Sequence, residues 1–164
     1  MKLGRAIAHV HEATTDLRDD LAAISERHAV DHDVYHQGRR MAGRCDGLAQ
    51  MLEPFLERYG QDTDDGEHAE AWQSFAERVR RGLSAMTGRS PRGGPLLLHD
   101  LRELEVEAHA CVTDWVITRQ GAMAARDQDL VDLCVLGMDE TRRVERWLTT
   151  RIKESAPQIL MSAD

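Results

Sequence analysis

The sequence predicts an all-α protein, a four-helix bundle with a helical crossover connection between the second and fourth of five helices. Three observations carry this expectation. Apolar residues recur in alternating steps of three and four over stretches of roughly twenty residues or more, which is the spacing of one helix face. Only 4 % of the chain is aromatic, whereas β-rich cores lean on aromatic and β-branched side chains. A connection of roughly 35 residues then separates two pairs of long stripes, enough chain to run the length of a bundle.

The first helix, expected over about 3–28, carries the stripe Leu3, Ile7, Val10, Thr14, Leu17, Leu21, Ile24. A second, over about 32–59, carries Val34, Gly38, Met41, Cys45, Leu48, Leu52, Phe55, Tyr59, with Gly60 as its stop. The two stripes nearly run on into one another. A single helix of that length would be far above the usual size, so a tight turn is placed between about Arg27 and Asp33, with Asp31 as the cap of the second helix. A shorter helix over about 66–87 holds Trp72 and Phe75, and GRSPRGGP after it is the clearest linker. Pro95 suits the first turn of a helix over about 95–125, with Leu97, Leu101, Leu104, Ala108, Cys111, Trp115, Thr118 and Ala122. ARDQD turns the chain into a last helix over about 128–155, with Leu130, Cys134, Gly137, Thr141, Val144, Leu148 and Ile152. The tail after Ser155 contains Pro157 and is expected to be irregular. All of this fits one domain, residues 1–164.

Composition removes several function classes. The net charge is −8 with no block of basic residues, which argues against nucleic acid as a partner. The N-terminal stretch MKLGRAIAHVHEATTD is interrupted by His, Glu and Asp where a signal peptide needs an apolar core. No run approaches the ~18 apolar residues of a membrane span, and a cytoplasmic location is expected. Cys45, Cys111 and Cys134 are too few and too scattered for a disulfide framework or a paired CxxC zinc site. There is no Gly-x-Ser-x-Gly elbow and no phosphate-binding glycine loop, so nothing in the sequence argues for an enzyme.

Two helices, a long helical connection and two more helices resemble the architecture of the ferritin-like superfamily. The resemblance implies a fourth helix parallel to the second, and it raises the question of a di-iron cofactor. Such sites take one Glu from each of two helices and a Glu-x-x-His from each of the other two, all pointing inward. ERHAVDHDVYHQ places His28, His32 and His36 four residues apart, and Asp33-x-x-His36 is the nearest match to the motif. At 100° per residue, however, the stripe from Val34 to Tyr59 turns His36 to the far side of its helix. No histidine follows His109, so the last helix brings no second motif. The remaining candidates for a metal-binding or redox alternative, with iron as its cofactor, are His11, Glu105, His109 and Glu145, while His32 and His36 offer at most a surface site. His109-x4-Asp114 echoes one element of hemerythrins, but the companion His-x3-His has its nearest match in His32-x3-His36, which points outward.

With turns centred near residues 29 and 126, Thr14 sits level with Cys45, and Cys111 with Thr141. The level where a di-iron bundle holds carboxylates and imidazoles thus carries Thr, Cys, Cys and Thr. These four either pack as near-apolar groups bonded to their own helices or line a small pocket or soft-metal thiolate site.

The outer faces of the last two helices are too apolar for solvent. Val106, Ala110, Thr113 and Ile117 form a second stripe nearly opposite the core stripe, Val131 and Val135 make the last helix apolar on most sides, and Trp147 lies on a flank. Either the short helix with Trp72 and Phe75 covers these surfaces, or a second copy does. The expectation is a homodimer that acts without catalysis, through self-association and a protein partner.

Overall fold

The computed structural model of the chain describes residues 2–60 and 93–161. Within them the chain forms four helices and no strand: α1 (Lys2–Arg27), α2 (His32–Gly60), α3 (Gly94–Ala125) and α4 (Gln128–Met161). The short helix expected over about 66–87, with Trp72 and Phe75, lies outside the described residues. No described helix is long and apolar enough to cross a membrane.

The α1–α2 turn is built from its own sequence. His28 N–H donates to Ile24 O at 3.0 Å and Asp31 N–H to His28 O at 2.8 Å. The Asp31 side chain then accepts the Val34 amide at 3.1 Å, satisfying one of the donors that every helix start leaves unpaired. The second turn is closed by Arg126, whose φ of 57° puts it in the left-handed region at the end of α3. Asp127 follows and accepts the Leu130 amide at 3.1 Å, capping α4.

Contacts between helices fix their directions. Along α1 and α3, Gly121 lies beside Leu3, Thr118 Oγ1 donates to Ala6 O at 3.3 Å, and Arg27 reaches Asp100 at 2.9 Å. These two helices are therefore antiparallel. Along α2 and α4, Arg58 reaches Asp127 at 2.9 Å, Arg44 reaches Glu140 at 2.6 Å and Asp31 reaches Arg151 at 2.6 Å, again antiparallel. Each hairpin is antiparallel as well, so α2 and α3 run in the same direction on opposite corners of the bundle.

The core is the predicted set of stripes. Ile7, Val10, Leu17, Leu52, Leu101, Trp115, Leu130 and Leu148 are fully enclosed. Helices come closest where a side chain is missing: Gly38 takes the Ser25 hydroxyl against its backbone, and Gly137 takes the ring of Trp115. One expectation needs correcting, because α4 continues through Pro157 to Met161. Proline forfeits only one backbone bond within the last turns, and Ile159 packs on the backbone of Gly94, which gives the extended end a partner.

Candidate functional site

The mid-bundle layer assembles around Cys111. Thr14 Oγ1 donates to Val10 O at 2.6 Å and lies 3.7 Å from Cys111 Sγ, while Thr141 Oγ1 donates to Gly137 O at 2.8 Å. Cys45, from α2, is buried in the same core. Each hydroxyl is thus satisfied by its own helix, the arrangement that lets Thr sit in an apolar interior. Burial pushes the Cys45 thiol up to about 12, with the Glu107 and Glu140 carboxylates adding to it. Burial likewise pushes Cys111 up to about 12, against the opposing hydrogen bond from Thr14. A metal would need the thiolates, and this environment holds both sulfurs as neutral thiols at neutral pH.

Of the histidines and acids considered as ligands, His109 and Glu145 meet, but no three gather among the described residues. His109 Nδ1 lies 2.8 Å from Glu145 Oε1 on an exposed face, and Glu105 accepts the Thr149 hydroxyl at 2.5 Å one turn away; both pairs sit on the α3–α4 seam. His11 is on α1. Its neighbour but one, His9, pairs with Asp114 of α3 at 3.4 Å, and two residues of helix turn His11 about 200° away from that seam. His32 and His36 are exposed, with ring centroids 4.2 Å apart. Asp33 accepts the Trp147 indole N–H at 3.3 Å. Among the described residues no three His, Cys, Asp or Glu side chains gather as a metal-binding group.

Two polar clusters escaped the sequence reading. Asp100 is 7 % exposed and accepts from Arg27 at 2.9 Å and His28 at 2.7 Å, tying the end of α1 to the start of α3. Further along the same seam Glu107 meets Asp16 and Asp20. Burial pushes its carboxyl up to about 9, reinforced by the negative charge of Asp20 and the hydrogen bond they share. His9 is raised as well, chiefly by its hydrogen bond to Asp114. Each of these residues looks like an ordinary flank on its own helix. Only the pairing of α1 with α3, remote in sequence, brings them together.

The outer face of α3 is as the periodicity implied. Val106 and Ile117 are 46 % and 44 % exposed, with Ala110 and Thr113 exposed between them. Val135 of α4 is 40 % exposed. The Trp115–Gly137 contact fixes the helix register so that Val135 stands level with Ile117. Val131 and Trp147 are different: both pack part-buried against the core of their own chain. No known protein family, curated protein or solved structure matches the chain.

Proposed function

We propose that this chain is a non-catalytic cytoplasmic bundle of the ferritin-like plan, which acts as a homodimer and, in that form, engages a protein partner. The ferritin-like plan is supported by helix directions. α2 ends with Tyr59 on Asp127, and α3 begins with Gly94 on Ile159, at the other end of α4. A crossover connection between those two points is what the ferritin-like plan calls for.

The observation that carries the dimer is the symmetry of the α3 stripe. Val106 and Ile117 have the same midpoint along the helix as Ala110 and Thr113. A two-fold axis through that midpoint sets Val106 against Ile117 of a second copy, and Ala110 against Thr113. Small residues at the centre let the helices approach, and larger ones close both ends. This is the isologous pattern of a cyclic dimer. A stable interface buries about 800 Å2 on each partner, more than four residues supply, and Val135 extends the patch onto α4.

Sedimentation velocity of the untagged chain, at about 10–100 μM, tests this reading. The expected result is a dimer that Ile117→Glu and Ala110→Glu convert to a helical monomer, since each buries a charge at the contact. A wild-type monomer at the highest concentration overturns the self-association, as does a dimer indifferent to both substitutions. Elemental analysis after addition of Fe(II) under air tests the other half: about two irons per chain, the di-iron stoichiometry, overturns the non-catalytic assignment.

A further inference from the structure

On the side of the bundle away from the α3 stripe, α2 and α4 pack less closely than the helices of either hairpin, and a cleft of about 230 Å3 opens between them. Its rim holds Arg40 and Arg44 of α2, with Glu140 and Arg143 of α4. Arg44 Nη1 donates to Glu140 Oε2 at 2.6 Å, and Arg143 Nη1 lies 3.3 Å from Glu140 Oε1. One carboxylate is thus shared between two guanidiniums. Arg40, one turn before Arg44, is exposed and makes no ion pair among the described residues. The floor is different in kind: Met41, Cys45 and Val144 line it, and the last two are buried.

Three cations against one anion is an odd local balance in a chain of net charge −8. Like charges four residues apart on a helix repel, and Glu140 offsets this for Arg44 and Arg143 but not for Arg40. Guanidiniums are the side chains best shaped for this, since their planar fork meets carboxylate or phosphate oxygens in pairs. The cleft's volume is below the range typical of drug-sized ligands.

We propose that this cleft binds a small dianion, a phosphate monoester or a dicarboxylate with a short apolar group, its charge held by Arg40, Arg44 and Arg143. The apolar group rests on Met41 and Val144. Glu140 acts as the internal competitor: in the empty cleft it holds Arg44 and Arg143 in place, and the ligand draws both toward itself. The two ligand chemistries share the paired oxygens that the guanidiniums recognise, and they differ in the geometry around those oxygens.

Isothermal titration calorimetry of the full chain at low salt, with phenyl phosphate and with phthalate as probes, tests the assignment. The expected result is one site per chain, with a dissociation constant of ~1 mM or tighter for at least one probe. Preference for phenyl phosphate assigns a phosphate monoester, and preference for phthalate a dicarboxylate. Arg40→Ala, at an exposed position without a partner to lose, weakens binding about tenfold or more, and Arg143→Ala does the same. Glu140→Gln removes the competing charge and strengthens binding, again by about tenfold. Circular dichroism checks that each variant remains helical. Failure of both probes to bind wild type and Glu140→Gln overturns the proposal, as does binding that Arg40→Ala and Arg143→Ala leave unchanged.

Discussion

Glycine at 137 is a space requirement, and its replacement by alanine tests the packing of the whole α3–α4 hairpin. A Cβ built there falls within 2.6 Å of Cδ2, Cε2 and Cζ2 of Trp115, where ordinary contact begins at 3.4 Å. The ring must therefore shift by most of an ångström. It is completely enclosed, so the shift is passed to its neighbours, and overpacking of this kind costs typically 1–3 kcal/mol. Contacts this short belong in the upper part of that range, about 2–3 kcal/mol, and the better helix propensity of alanine returns about 1 kcal/mol, leaving a net loss of roughly 1–2 kcal/mol. For a chain of this size that is a fall in Tm of about 2–8 °C. Gly43→Ala is the control, because no atom lies within 4 Å of its Cβ position; the propensity gain alone applies, and the variant melts higher than wild type. Urea unfolding followed by circular dichroism gives both values. Trp115→Phe should recover part of the loss in the double variant, since it removes ring atoms that the new methyl meets, and it also removes an indole N–H buried without an acceptor. A Gly137→Ala variant as stable as wild type refutes the reasoning.

Glu107 predicts an unusual pH dependence. Its carboxyl is held far above the unfolded value of about 4.3, so the folded state retains a proton that the unfolded state releases. Its contribution is fully present below pH ~4.3 and is lost as pH rises toward about 9. Glu107→Gln keeps the shape and the hydrogen bond to Asp20; it should be more stable than wild type at pH 8 in urea titrations, with a flatter profile between pH 5 and 9. Asp127 behaves in the opposite sense. Burial alone would raise its carboxyl, but the Leu130 amide, the Tyr59 hydroxyl and Arg58 outweigh that and hold it below the ordinary range. Its stabilisation is present above pH ~3.9 and lost as pH falls through the depressed value. Asp127→Ala removes the α4 cap as well and should cost about 1–2 kcal/mol, whereas Asp127→Asn should keep the cap, which the same unfolding curves resolve.

The helices were legible because their apolar stripes are local and periodic. The α1–α2 break was found without any Gly or Pro, from helix length and the capping capacity of Asp31, and the cap is made at Val34. Stripe phase and turn position set Thr14 level with Cys45 and Cys111 level with Thr141, whereas the Thr14–Cys111 contact depends on α1 packing beside α3. What could not be read is what depends on which helices sit side by side. Little in the local sequence sets Asp16, Asp20 and Glu107, or Arg40, Arg44 and Arg143, apart from the solvated flanks of separate helices. The arginines did leave a trace, the i, i+4 spacing of Arg40 and Arg44 against the flank position of Glu140. No such trace marked Trp147, which is drawn inward by the indole bond to Asp33 across the α2–α4 seam.

The seams themselves show what chooses between neighbours. Four apolar stripes of similar width can assemble in a ring of either hand, with α1 beside α3 or beside α4, and the stripes alone do not distinguish the two. The polar flanks do. On α1 and α3 the flanks present Arg27 and His28 to Asp100, and His9 to Asp114. On α2 and α4 they present Asp31 to Arg151, Arg44 to Glu140, and Arg58 to Asp127. Exchanging neighbours would separate every one of these pairs, and Asp100 and Asp127, 7 % and 10 % exposed, would lose the cations that offset their burial. Each pair adds little to net stability, but together they disfavour the wrong ring, which is how polar groups specify a fold that apolar ones merely permit. Against that background like charges also gather at two sites, the acids around Glu107 and the arginines beside the Arg44–Glu140 pair, and this repulsion does not help to select the fold. The acids resolve their conflict by retaining a proton. The arginines have no such option, because guanidinium stays charged across the accessible pH range; Glu140 offsets two of them, and the proposed anion would offset the third, Arg40.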